Sequence, residues 1–461
     1  MYKKIIASKS YKRFKRDVSN LKIALGVIEN ILLEQHQALK KPLFNFFKGE
    51  EYRYNKERLE IELSSSYLRE NLARIKSNRK VFFPKECKPN ENRFILTTEL
   101  ISVFSRAKVP MVVQKGAGLN VGLSDSAIRK QVKHHEGKVT FVNTVAQGLK
   151  AADMIYMVKE PYGEIRKQLL NTKNKIIFSY LHPLAPSSIE TTKAMKKRGH
   201  IGISFDMIPQ GLCLTPMSII AAKKTIEQFR NLDAVSTKKT DSTPPITAKT
   251  LGVIPGFPAG NTRENTVLIL GVAGTAGQTA AIEVLKAGGK VIGLDISTES
   301  FKELKKNIPE KLRLRIDFIN SAKKPNYAKL LKEALYVVDA VKIPGKPTPT
   351  IITEAMQSRS RNIYGVIAVD EGGAIENAPN TSNQDPWAWK HNSLYYTSPN
   401  MPSTKPVEAS SILALVTAPY ALLLAKLGPT KALASSEFLQ EALVYQNGEY
   451  GSDEIAEEIE K

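Results

Sequence analysis

The sequence predicts the α/β class, with two blocks of alternating strands and helices, each organised around a mostly parallel sheet. Three observations predict it. From Val81 onward, short β-rich runs alternate with runs of helical periodicity. A stretch rich in Thr, Ser, Pro and Gly over 236–265 then precedes a second alternating block that begins at Thr266. That block opens with a five-residue apolar run, glycines at 271, 274 and 277, and a helical run, in that order.

The first element in chain order is a basic extension. Residues 1–80 hold 19 Lys+Arg and 9 Asp+Glu, and so carry +10 of the chain's formal +22. Its first 16 residues contain Lys3, Lys4, Lys9, Lys12, Arg13, Lys15 and Arg16 with no acid before Asp17, interleaved with Tyr2, Ile5, Ile6, Tyr11 and Phe14. Amphipathic, basic and acid-poor composition is that of a mitochondrial targeting segment, and predicts a matrix-side location; an ordinary basic arm has the same composition. Apolar residues at helical spacing over 18–39 and 52–75, among them Leu59, Leu63, Leu68 and Leu72, predict two helices around a break at 42–49. With no site chemistry on them, these helices are expected to pack or dock against a partner.

In the first block, residues 110–114, 138–142, 154–158, 175–180 and 201–205 read as strands, and 97–106 and 187–198 as helices. Residues 215–231 read as a connecting helix, with Thr215 as N-cap and Pro216 at the first helical position.

The second block carries the chemistry that is legible in spacing. Thr266–Leu270 is a strand, Gly271, Gly274 and Gly277 form the turn, and a helix follows over 278–287. Strand, glycine turn and helix in this order let backbone N–H groups and the positive helix end meet a pyrophosphate. The next strand, 290–294, ends at Asp295, whose carboxylate can accept from free ribose hydroxyls and would repel the extra phosphate of NADP. NAD is therefore the expected cofactor. The glycines are spaced GxxGxxG, which is a GxGxxG with Val272 in place of its first glycine; a tight strand–helix turn without a ligand is the bland account of the same residues.

Composition bounds the rest. At 42% hydrophobic and 24% charged the chain can build a sizeable core. Cys87 and Cys213 are the only cysteines and form no CxxC or Cys/His pattern, so neither a disulfide scaffold nor a metal site is expected, and the chain reads as belonging to a reducing compartment. The most apolar stretch, 412–425, is interrupted by Thr417 and Pro419 and falls short of the roughly 20 residues that span a bilayer, so no membrane span is expected. A charge of +22 predicts attraction to anionic partners, nucleic acid among them.

Eight segments taken together resemble the alanine dehydrogenase family, with the nicotinamide nucleotide transhydrogenase alpha chain as a more distant relative. They are Pro84-Lys85-Glu86 with Asn92-Arg93; Lys115-Gly116-Ala117-Gly118-Leu119 with Ser124-Asp125; Val158-Lys159-Glu160-Pro161; Tyr180-Leu181-His182; Leu214-Thr215-Pro216-Met217-Ser218; Ile343-Pro344-Gly345; Ala368-Val369-Asp370-Glu371-Gly372-Gly373; and Asn400-Met401-Pro402. The resemblance implies two doubly wound Rossmann-like domains. The dinucleotide domain (215–399) would be inserted into a substrate domain made of 81–214 and 400–461, in a subunit that oligomerises. It implies Arg93 and Lys159 as holders of a substrate carboxylate or carbonyl, and His182 and Asp370 as the acid/base pair. It also places Ser218 and Asn400 at the cofactor beside Gly271, Gly274, Gly277 and Asp295. A guanidinium fork, an ammonium point charge and an imidazole suit the oxidation of a small amino acid to a keto acid, with a nicotinamide as hydride acceptor. Singly, Arg93 and Lys159 have bland accounts as surface charges, His182 as a packed histidine and Asp370 as a loop cap. The chain departs from the family at the glycine loop, at Asp339 and Lys342 before Ile343, at Ser403-Thr404-Lys405, and in its basic extension.

Three functional readings follow. The first is an NAD-dependent alanine dehydrogenase-like oxidoreductase. The second is a non-catalytic architectural subunit of a large mitochondrial assembly, held by residues 1–80. The third is a ribosome-associated nucleic-acid-binding protein, which has the charge but no recognisable module.

Overall fold

The computed structural model describes residues 75, 79–232, 262–342, 348–367, 369 and 372–460. The helices expected within 1–74, most of the 236–265 stretch, Ile343-Pro344-Gly345, Ala368, Asp370 and Glu371 lie outside the described residues.

The strands, in chain order, are β1 (Val81–Phe83), β2 (Met111–Gln114), β3 (Val139–Val142), β4 (Met154–Tyr156), β5 (Ile176–Ser179) and β6 (Ile201–Ser204). They continue with β7 (Thr266–Leu270), β8 (Lys290–Asp295), β9 (Ile316–Asn320), β10 (Tyr336–Asp339), β11 (Ile363–Val366), β12 (Trp387–Lys390) and β13 (Ser393–Tyr396). A hairpin of β14 (Leu443–Gln446) and β15 (Glu449–Tyr450) ends the set. The chain divides into two compact units. Among the described residues the first holds 75, 79–216 and 406–460, and the second those within 217–405.

The first unit is an eight-stranded sheet in the order β15-β14-β6-β5-β4-β1-β2-β3. Pairs among β1–β6 are parallel, and β14 joins β6 antiparallel. Parallel strands need both faces covered, which explains why they are so uniformly apolar. One face packs an aromatic ladder in which Tyr156 lies 5.7 Å from Phe83, 5.3 Å from Phe178 and 6.1 Å from Phe205 by ring centroid. The helix Pro406–Leu427 contributes Thr417, whose hydroxyl donates to the Leu413 carbonyl at 2.7 Å and so is left to accept from the buried Tyr156 hydroxyl.

That helix corrects the reading of the apolar stretch. It is 22 residues long, because Ala409, Ser410 and the residues around them continue the helix on the amino side of Ile412, and by length and composition it could cross a bilayer. In the structure 78% of its apolar window is buried inside the protein.

The second unit is a seven-stranded sheet in the order β12-β13-β11-β10-β7-β8-β9, parallel except for β12. Counting from β7, its parallel strands run 3-2-1-4-5-6, the doubly wound order, and β1–β6 of the first unit repeat it. Each sheet therefore has a switch point where strand order reverses, between β1 and β4 in one and between β7 and β10 in the other.

The connecting helix is Leu214–Arg230, so Thr215 is not its N-cap. A 3-10 turn at Pro209–Gly211 and αR geometry at Leu212 carry helical backbone in from the amino side, and Thr215 is buried in the first turn. Pro216 remains harmless there, since the first N–H groups of a helix have no internal acceptor.

Candidate active site

In the first unit the loops leaving the carboxyl ends of β1, β4, β5 and β6 meet beside the switch point. Glu86, three residues past β1, accepts from the backbone N–H of Val158 at 2.6 Å and of Lys159 at 3.4 Å, tying the β1 loop to the β4 loop. Burial, reinforced by Glu91, pushes the Glu86 carboxyl up to about 8. Arg93 is 3% exposed, and its Nε and Nη2 donate to the two oxygens of Glu91 at 2.8 and 2.6 Å. The Glu91 carboxylate more than offsets the lowering effect of burial and holds the Arg93 guanidinium above its ordinary range. The fork expected to face a substrate is thus bonded to a neighbour two residues away.

Lys159 and His182 come together. Lys159 Nζ lies 3.2 Å from His182 Nε2, and on the other side of the ring Nδ1 lies 3.1 Å from Asp206 Oδ1. The His182 backbone N–H also donates to Asp206 Oδ2 at 2.8 Å, and the Ser204 hydroxyl donates to the same oxygen. A carboxylate facing Nδ1 favours the proton there and leaves the Nε2 lone pair toward the ammonium. His182 has φ +45°, a left-handed backbone that non-glycine residues adopt at a cost and that these contacts hold in place. Its ring stacks on Tyr180 at 5.6 Å and 5°, and the Tyr180 hydroxyl donates to the Cys213 carbonyl at 2.8 Å. Burial works to raise the Glu160 carboxyl, but Lys159, His182 and Lys88 together hold it below its ordinary range. Lys88 forms an ion pair with it.

Asp206 and Glu91 stand in none of the segments read from the sequence, and Glu86 and Glu160 stand there only as motif members without a role. Position is the signal for Asp206: it directly follows the strand expected over 201–205 and sits two residues past the end of β6, at the sheet edge where doubly wound folds bind ligands. Lys115-Gly116 and Ser124-Asp125 have a local use. Ser124 caps the helix Asp125–His134 by accepting from Ala127, and Asp125 accepts from Gly116 at 2.9 Å.

In the second unit the glycine turn follows β7, and the helix Thr275–Lys286 starts three residues earlier than its periodicity predicts, with Gly274 as N-cap. Gly271 takes φ +75°, and a Cβ there would meet the Ala340 carbonyl oxygen at 3.0 Å. A Cβ on Gly277 would lie 2.1 Å from the Gly271 carbonyl oxygen, so only glycine lets the helix pack this close to the strand. Gly274 differs: a Cβ there meets only the Gly271 oxygen, at 3.5 Å, and no side chain caps the helix end. An open, uncapped helix N-terminus beside a glycine suits a pyrophosphate. Val272 is fully buried in space left by Gly293, whose Cβ would meet Val272 Cγ1 at 2.7 Å. The missing first glycine is therefore absorbed within the core.

Asp295, at the end of β8, accepts from Ala273 N–H at 2.9 Å and Ser297 N–H at 3.1 Å, one on each oxygen. Each carboxylate oxygen has two acceptor sites, which leaves capacity for ribose hydroxyls. Ser218 lies half-buried on the connecting helix two turns before Thr225, which touches Met401 Sδ at 3.4 Å. Asn400 takes φ +55° and leads the 3-10 turn Met401–Thr404. Asp339, at the carboxyl end of β10, is 1% exposed and accepts from Ala374 at 2.5 Å and Val341 at 3.1 Å. Burial pushes its carboxyl up to about 6. The residues present thus fit a dinucleotide.

Two doubly wound sheets, a carboxylate–imidazole–ammonium chain beside one switch point and an uncapped glycine-turn helix at the other define the class of two-unit dinucleotide oxidoreductases. Comparison with known proteins narrows it. Residues 82–221 match the profile "Alanine dehydrogenase/PNT, N-terminal domain" and 241–452 match "Alanine dehydrogenase/PNT, C-terminal domain". The alanine dehydrogenase of Bacillus subtilis is 29% identical over 382 residues, which is 82% of this chain and 93% of that protein. The alanine dehydrogenase of Staphylococcus saprophyticus is 30% identical over 383 residues, 82% of this chain and 95% of that protein. A solved L-alanine dehydrogenase shares the fold with a TM-score of 0.69 at 24% identity, covering 83% of this chain and 99% of that one. A transhydrogenase from Sinorhizobium meliloti shares it at a TM-score of 0.61 and 18% identity, covering 81% and 98%. The chain belongs to the alanine dehydrogenase/PNT family.

Proposed function

We propose that the protein interconverts L-alanine and pyruvate with NAD as cofactor: L-alanine, NAD and water give pyruvate, ammonium, NADH and a proton. The observation that carries this reading is the chain Asp206–His182–Lys159 at the carboxyl ends of β6, β5 and β4. The nicotinamide, when bound, accepts the substrate's hydride. Lys159 places a positive charge beside the imidazole, where a substrate carboxylate or carbonyl oxygen is held and polarised. His182 Nε2 takes a proton from the amine or the attacking water and returns it in the reverse direction, while Asp206 stabilises the imidazolium that forms. Arg93, whose charge is paired with Glu91, is assigned to the substrate carboxylate through the donors of its guanidinium fork. Gly271, Gly274 and Gly277 with the helix end hold the pyrophosphate. Asp295 selects the unphosphorylated ribose, and Ser218 and Asn400 are assigned to the same cofactor.

The test is oxidation of NADH by pyruvate plus ammonium, followed by absorbance. His182→Ala is expected to cut turnover by about 100-fold, the usual scale for losing a general acid/base. A folded protein without turnover, or a His182→Ala variant as active as the parent, overturns the reading.

A further inference from the structure

A groove of about 820 Å³ runs between the helices Gly163–Leu170 and Pro186–Lys197 of the first unit. Arg93, Lys159 and His182 do not line it. Its floor is apolar, made by Leu170, Leu181, Met195 and the ring of Tyr445, the last three of which belong to the unit's core.

Two features set it apart from a packing defect. Ser188, Thr192 and Tyr445 line it while being only 4%, 4% and 1% exposed, and none of their hydroxyls bonds to a described protein group. These hydroxyls open onto the groove without a protein partner, and so offer a ligand hydrogen-bonding positions along its wall. At the mouth stand Lys88, Arg166 and Lys167 against one carboxylate, Glu160, which is already ion-paired to Lys88. The mouth is net positive over an apolar floor with hydrogen-bonding walls.

We propose that this groove is a binding site for an amphipathic monocarboxylate, its anionic head at Arg166 and Lys167 and its apolar body on Leu181, Met195 and Tyr445. The size fits, since small-molecule sites span roughly 300–1,000 Å³ and are largely apolar with a few placed polar groups.

The probe is octanoate, titrated into full-length protein carrying ¹³C-methyl methionine, with the Met195 resonance assigned by its loss in Met195→Leu. A saturable shift is expected below about 10 mM, weakened at least about 10-fold by Arg166→Glu with Lys167→Glu and removed by Thr192→Trp, which fills the groove. Uncharged 1-octanol is expected to bind at least about 10-fold more weakly than octanoate. No saturable shift, equal binding of octanol and octanoate, or indifference to the charge reversals overturns the proposal. Should Thr192→Trp not fold, the charge reversals and the octanol comparison decide the matter alone.

Discussion

Asp206 holds His182 at two points, accepting its backbone N–H at Oδ2 (2.8 Å) and facing ring Nδ1 with Oδ1 (3.1 Å). One carboxylate therefore sets both the left-handed backbone and the ring orientation of the proposed acid/base. Asp206→Asn keeps an oxygen for the backbone N–H but removes the charge that favours the imidazolium. Turnover is expected to fall by about 10- to 100-fold, and the acidic limb of the pH–rate profile to move to lower pH, because losing a nearby anion disfavours the protonated ring. A purely structural role for Asp206 predicts lower activity with an unmoved profile.

Cofactor choice rests on Asp295. Fluorescence titration is expected to show NADH binding more tightly than NADPH, with the preference reduced by at least about 10-fold in Asp295→Ser. Since Asp295 also braces Ala273, the variant is expected to weaken NADH as well. Equal affinity of the unaltered protein for both cofactors removes Asp295 from this role.

Val272 and Gly293 exchange volume across β7 and β8. Gly293→Ala places a Cβ 2.7 Å from Val272 Cγ1 and is expected to destabilise the protein by about 1–3 kcal/mol in chemical denaturation. In a Val272→Ala background the two γ-methyl contacts are gone and only the Val272 Cβ contact at 3.0 Å remains, so a double-mutant cycle is expected to return a coupling of at least about 1 kcal/mol. Additive effects would mean that the two residues do not share this space.

Asp339 provides a pH test with a definite sign. Its carboxyl is raised from 3.8 to about 6 in the folded protein, so the folded state binds the proton more tightly than the unfolded chain does. Its contribution to stability is fully present below the unfolded value and is lost as pH rises through about 6. Relative to Asp339→Asn, which does not titrate, the unaltered protein is expected to gain about 1 kcal/mol between pH 7 and pH 5. A constant difference in unfolding free energy across that range contradicts a raised carboxyl.

The sequence by itself determined what local periodicity and spacing can carry. Alternating apolar runs located β2 through β6, and the order of strand, three glycines, helix and Asp295 located a dinucleotide turn, because each is specified by residues adjacent in the chain. Motif order identified the family. Tertiary structure decided which polar groups meet. Asp206 reaches His182 across 24 residues because β5 and β6 are parallel neighbours that end at the same edge. Glu86 reaches Val158 across 72 because β1 pairs with β4 at the switch point. The fit of Val272 into the gap above Gly293, and the antiparallel seating of β14 on β6, likewise depend on strand pairing between distant segments. Periodicity says which face of an element is buried. Which distant element covers that face, and hence which carboxylate faces which imidazole, is settled only when the strands pair.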